Sequence, residues 1–137
     1  MVKRIVMVVI MVGIVVGLAV FLKIDRIDKE SVGDVAYEVA GEEDIPGEVM
    51  EEIRGYGKGM KRGSFLCNDK MYIVVYYGEQ VSEGYSVKVN KLYESENAIF
   101  VETVLMGPAS FKEAQGEVSY PYIVIRVPVS GKKVVFI

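Results

Sequence analysis

Ser86-Val87-Lys88-Val89-Asn90-Lys91-Leu92 alternates polar and apolar side chains along its length. A strand with one wet face and one dry face has this period, because successive side chains point to opposite sides of the backbone. The strand is expected over Gly84–Tyr93, and Ser95-Glu96-Asn97 is short enough to close a hairpin. Its partner is then Ala98–Met106, with Phe100, Glu102 and Val104 on one face and Val101, Thr103 and Leu105 on the other. Further out, Met71–Tyr77, Tyr120–Val129 and Lys133–Ile137 are rich in Val, Ile, Tyr and Phe and are bounded by Gly, Pro, Ser or Asn. Tyr76 and Tyr77 point to opposite faces, so at most one of the two rings is expected in a core.

Upstream the period changes. Asp44-Ile45-Pro46 is expected to open a helix, with Asp44 capping free N–H groups and Pro46 tolerated in the first turn. Glu48, Glu51 and Glu52 suit the positive end of that helix. Ile45, Val49, Met50 and Ile53 share one side of it. Gly55, Gly57 and Gly59 end it and, alternating with Tyr56, Lys58 and Met60, read as a flexible loop. No strand precedes that loop and no helical pattern opens after it, so it is not a phosphate-binding loop. Val35–Val39 is a weak first strand, and Gly41–Asp44 is a turn. One helix followed by consecutive strands on short turns predicts an α+β domain. Its sheet should be mainly antiparallel, sandwich-like or partly closed as a barrel, with the helix covering one face.

Ile5–Leu22 is an eighteen-residue run without a charged or strongly polar side chain, preceded by Lys3 and Arg4 and stopped by Lys23. As a helix it would span about 27 Å, the thickness of a bilayer core. A cleaved secretory signal and a buried helix of a soluble domain are the alternatives. Two details favour an anchor: the run exceeds the roughly 7–15 apolar residues of a signal's central region, and the only small-x-small cleavage candidate, Gly17-Leu18-Ala19, lies inside it. The expected organisation is a membrane anchor over 1–22 (transmembrane helix about 5–22), a juxtamembrane spacer over 23–33, and one domain over 34–137. Cations flank the run on both sides, with Lys23, Arg26 and Lys29 following it. The charge balance therefore leaves the orientation open, but a long C-terminal domain translocates largely regardless of such charges. The expected topology is single-pass in the cell membrane, with a short cytoplasmic N-terminus and an extracytoplasmic domain.

Composition narrows the chemistry. The chain has 137 residues, 16 basic and 19 acidic, with one Cys and no His. Setting aside Lys3 and Arg4 leaves 14 cations against 19 carboxylates, so the exported part carries about −5. That balance argues against nucleic acid and anionic lipid headgroups as main partners. Without His, neither Ser-His-Asp nor Cys-His catalysis is available, and the commonest transition-metal ligand is missing. Cys67 cannot form an internal disulfide and reads as an inert, partly buried thiol. Glu42-Glu43-Asp44 has no matching carboxylate cluster elsewhere and reads as a solvated turn. No catalytic residue, metal site or cofactor is expected.

Several pieces of the strand region occur together in a known order. Tyr72-Ile73-Val74-Val75, Gly78-Glu79-Gln80, Ser82-Glu83-Gly84-Tyr85-Ser86-Val87-Lys88-Val89, Gly107-Pro108 and Tyr120-Pro121-Tyr122-Ile123-Val124-Ile125 resemble the C-terminal domain of the PrcB family of protease-complex subunits. The likeness covers about residues 70–129. It departs at Ser82-Glu83-Gly84-Tyr85, where the family commonly has Thr-Gly-Gly-Tyr, so Glu83 stands where a turn with positive φ would favour Gly. The lipid-attachment Cys of the family's namesake is also missing.

The resemblance implies a non-enzymatic accessory domain that assists assembly or localisation of an exported partner such as a protease. Its matching residues Gly84, Tyr85, Pro108, Tyr120, Pro121 and Tyr122 are the candidates for partner binding. Tyrosine rings suit that role because they bury much area and keep a hydroxyl for a hydrogen bond. The competing reading of the same residues is structural: Tyr120-Pro121-Tyr122 starts a strand, with Pro121 where no ladder N–H is needed. Two functional alternatives stand beside the accessory role. Gly84-Tyr85 is similar to the Gly-Tyr pair in the binding loop of immunoglobulin-like cysteine-protease inhibitors, which implies an inhibitor-like module. A surface module binding a ligand in an aromatic groove is the other.

Overall fold

The computed structural model describes residues 33–110 and 114–137. Two short strands, β1 (Gly33–Asp34) and β2 (Glu38–Val39), precede the helix α1 (Gly47–Arg54). After it come β3 (Lys61–Cys67), β4 (Lys70–Tyr76), β5 (Ser86–Glu94), β6 (Ala98–Met106), β7 (Tyr122–Pro128) and β8 (Lys133–Phe136). These strands form two four-stranded sheets, ordered β1-β5-β6-β8 and β2-β7-β4-β3. Neighbours run antiparallel except β6 and β8, which run parallel.

The layering follows from β4. Met71-Tyr72-Ile73-Val74-Val75-Tyr76 carries an apolar or aromatic side chain at every position, so both of its faces need cover. All six residues are buried. Met71, Ile73 and Val75 point between the sheets, where they meet Leu92, Ile99, Val101, Ile123, Ile125 and Val127. Tyr72, Val74 and Tyr76 point the other way, onto Ile45, Val49 and Ile53. The order is therefore sheet, sheet, helix. Each fully buried Val or Ile in these two cores contributes about 1.5–3 kcal/mol relative to exposure.

Among the described residues the expected α+β class, the mainly antiparallel pairing and the one covering helix hold, and the sheets are packed as a sandwich. Ala98–Met106 is a strand with the expected residues at both ends, and Val101 faces the core between the sheets. The other long strands shift by a residue or two at their ends.

Four expectations need correction. Tyr76 and Tyr77 are both packed, one on each face, because β4 is covered on both sides. The segment Val35–Val39 is not one strand: the chain pairs with β5 at Gly33–Asp34, crosses between the sheets, and pairs with β7 at Glu38–Val39. Asp44 does not cap α1. Its own N–H bonds to Gly41 O at 2.9 Å in a 3-10 turn, and Pro46 stands at the N-cap without a side-chain cap bond. A residue before proline avoids helical backbone angles, so Ile45 is extended and α1 starts beyond Pro46. Lastly, the sequence reading assigns no strand to Lys61–Cys67, yet β3 pairs with β4 along its whole length. As an edge strand it exposes Lys61, Arg62, Ser64 and Leu66, which blurs the alternation. Its turn was the usable signal: Asn68 and Asp69 both take positive φ, 50° and 61°, as a two-residue hairpin turn requires.

The apolar run Ile5–Leu22 lies outside the described residues, and among these no helix is long and apolar enough to cross a membrane.

Candidate functional site

The loops that follow β4, precede β5 and precede β7 gather at one end of the sandwich. At the end of β4, the Tyr76 hydroxyl donates to Gly57 O at 2.5 Å. Two residues on, Gly78 takes φ +78°, and the Glu79 N–H bonds to Lys58 O at 2.9 Å. The glycine loop at 55–59, read from sequence as flexible, is thus pinned at Gly57 and Lys58. Gln80 and Ser119 exchange backbone bonds of 2.8 and 3.1 Å, and the Ser119 hydroxyl donates to Ser82 O at 2.6 Å. Glu79 joins two of these segments: its Oε2 accepts from the Tyr120 hydroxyl at 3.1 Å and lies 3.7 Å from Lys58 Nζ.

Of the six candidate residues, four come together. Tyr85, from the start of β5, and Tyr120, Pro121 and Tyr122, from the start of β7, line one groove with Val39 and Ile45. Its volume is about 440 Å³. The groove lies on the side of the sandwich where both edge strands run out. β1 covers only the Tyr93–Glu94 end of β5. Past Val39 a last bond runs from Ala40 N–H to Val124 O at 2.9 Å, and among the described residues no strand lies beside the start of β7 on the side away from β4. Gly84 and Pro108 are not among the lining residues. Gly84 takes φ +91°, the angle a side chain resists, so it sets the turn that delivers Tyr85. Pro108 follows Gly107, whose missing Cβ would lie 3.8 Å from the Tyr85 ring.

The rings differ in duty. Tyr120 is 42% exposed. Tyr122 is half-buried against the helix-side core, and Tyr85 and Pro121 are also half-buried. Pro121 O accepts the Tyr77 N–H at 3.0 Å, and the proline returns no bond, so the ladder between β4 and β7 ends there. Glu83 tolerates its place in the turn because the positive φ falls on Gly84 and not on Glu83.

Electrostatics favour protonated hydroxyls. The hydrogen bond to Glu79, then partial burial and the Glu79 charge, hold the Tyr120 phenol above its ordinary pKa. Burial raises Tyr122, with Glu42 adding to it, and burial raises Tyr76, with Glu79 adding to it. Among the described residues no group of three or more carboxylate or thiol side chains is placed to hold a metal ion. Among the described residues the arrangement offers apolar walls, hydroxyls and two open strand edges.

Sequence reasoning passed over Gly78, Glu79, Lys58 and Ser119 as site-building residues. Gly78-Glu79-Gln80 was visible as a motif, but its purpose depends on the 57–59 loop arriving beside it.

Residues 71–128 match the family model described as PrcB C-terminal. The matched stretch runs from β4 through β7 and holds all six candidate residues. No curated protein and no solved structure matches the chain.

Proposed function

We propose, from the membership of residues 71–128 in the PrcB C-terminal family, that this chain is a non-enzymatic binding domain of a protease complex. It is held at a membrane by Ile5–Leu22, stands outside the cell membrane, and assists assembly or localisation of an exported partner such as a protease. The observation that carries this reading is the groove. Tyr85 and the Tyr120-Pro121-Tyr122 run are over thirty residues apart in sequence, yet they line one depression beside two strand ends left uncovered among the described residues. Half-exposed tyrosines in a preformed depression are typical anchors for a protein partner. The Lys58–Glu79–Tyr120 contacts hold one wall in place before any partner arrives.

The test uses the tagged full chain, recovered from native envelopes beside a Tyr120→Ala variant, with mass spectrometry of what each retains. An exported protease enriched with the wild type and lost with the variant supports the reading. Full recovery of that protease by the variant would remove the groove from the interface. Adding the purified chain to the protease should leave its turnover unchanged or raised. Stoichiometric loss of turnover would make the chain an inhibitor.

A further inference from the structure

The opposite side of the sandwich carries a second unpaired edge. Among the described residues β3 pairs only with β4. The bond from Tyr77 N–H to Pro121 O fixes which β4 residues turn their backbone toward β7. Alternation along an antiparallel ladder then turns Lys61, Gly63, Phe65 and Cys67 toward β4. The N–H and C=O groups of Arg62, Ser64 and Leu66 point away from the sheet. No bulge interrupts this edge, and Leu66 is 71% exposed.

Lysines and arginines on an edge normally deter pairing. Here they sit at one end only. Lys61 and Arg62 begin the strand, while Glu48 and Glu52 of α1 flank Ser64–Cys67 at the other end. Lys61 shares its face with Phe65 and Cys67, the face covered by α1. An edge with cations at one end and carboxylates at the other complements a copy of itself running the other way. It repels a copy running the same way.

We propose that β3 is a homodimer interface, in which two copies pair antiparallel about a two-fold axis midway between Ser64 and its symmetry mate. In that register Arg62 faces Leu66 of the second copy, and three residue pairs exchange six backbone bonds. Lys61 comes beside Cys67 of the other copy, within reach of Glu48 and Glu52 there. The contact is isologous, so it closes at two copies. The axis stands normal to the sheet, so both Gly33 residues lie at one height along it and both chains can lead to one membrane. This inference does not depend on the groove or on the protease partner.

The test uses the full chain with its apolar run intact. In a Cys67→Ser background, Ser64→Cys should cross-link to itself with a short bifunctional thiol reagent, since paired Cβ atoms stand about 5.5 Å apart. Arg62→Cys should not, because its symmetry mate is offset by four residues, about 14 Å along the strand. By mass measurement in detergent the wild type should be twice the 15.2 kDa chain. Ser64→Pro removes an outward N–H and no β4 bond, so it should give a folded single copy. Lys61→Glu should weaken the dimer about tenfold or more, and the combination of Lys61→Glu, Glu48→Lys and Glu52→Lys should restore it. A wild-type chain that stays single at every concentration overturns the proposal, as do cross-linking through position 62 instead of 64 and a charge swap that restores nothing. A strand from another protein or another segment of this chain occupying the edge would appear as the first of these results.

Discussion

Gly78 and Lys58 stand so close that a Cβ on the glycine would overlap the Lys58 carbonyl oxygen and lie 2.9 Å from the Gly59 carbonyl carbon. Gly78 also has φ +78°. Two costs therefore meet at one residue: backbone strain and a backbone clash that no rotamer relieves. Gly78→Ala should destabilise the fold by about 2–5 kcal/mol. Gly131→Ala is the control, with φ +70° and open space around its Cβ position, and should cost only about 1–2 kcal/mol. Denaturant melts of the two variants check this, and equal losses would mean that the 57–59 loop moves aside freely.

Tyr120 and Tyr122 are two residues apart and should behave differently. Tyr122 packs on the helix-side core, so Tyr122→Ala should cost roughly 2–4 kcal/mol. Tyr120 is exposed, so Tyr120→Ala should melt like the wild type while losing the partner. Thermal melts read beside partner retention separate the two roles.

The tyrosines also set an alkaline limit. Tyr56, Tyr76 and Tyr122 are raised above their ordinary pKa chiefly by burial, and Tyr120 chiefly by its hydrogen bond to Glu79. A raised phenol binds its proton more tightly in the folded state. Its contribution is fully present below the unfolded value near 10 and is lost as pH climbs through the folded value. Stability should be level up to about pH 10 and fall above it, with part of the phenolate absorbance appearing late and together with unfolding. Glu79→Gln should bring the Tyr120 transition earlier. An unchanged titration in that variant would mean that the hydrogen bond does not hold the proton.

Ser95 is fully buried in the turn between β5 and β6, where the Ala98 N–H donates to its hydroxyl at 3.2 Å. Lys132 Nζ closes the same turn by bonding to Ser95 O at 2.8 Å and to Glu94 at 3.0 Å. Ser95→Val should strand the Ala98 N–H and cost about 1–3 kcal/mol, measured by denaturant melts. A neutral result would show that water reaches the turn.

Orientation is testable on whole cells. If Ile5–Leu22 anchors an exported domain, protease added outside intact cells should digest the domain and leave a short membrane-bound stub. Full protection until lysis would place the domain inside.

Much of the fold was legible because it is written in local patterns. The β6 boundaries and the apolar side of α1 at Val49 and Ile53 follow from the period of hydrophobicity. β3 was missed because an edge strand with one neighbour needs no continuous apolar face, and Lys61-Arg62-Gly63-Ser64 has none. Asp44 was mistaken for a cap because Pro46 pushes the helix start past it.

By itself the sequence determined the class of the domain and the succession of its strands from β4 to β8. Periodicity is a property of each segment, and a motif such as Tyr120-Pro121-Tyr122 is complete within one. Only the tertiary structure decided that β4 is covered on both faces, that Tyr85 meets Tyr120 in one groove, and that Glu79 joins Lys58 to Tyr120. Those relations join segments far apart in the chain. They depend on the order of the strands and on which sheet each one joins, which local alternation does not specify.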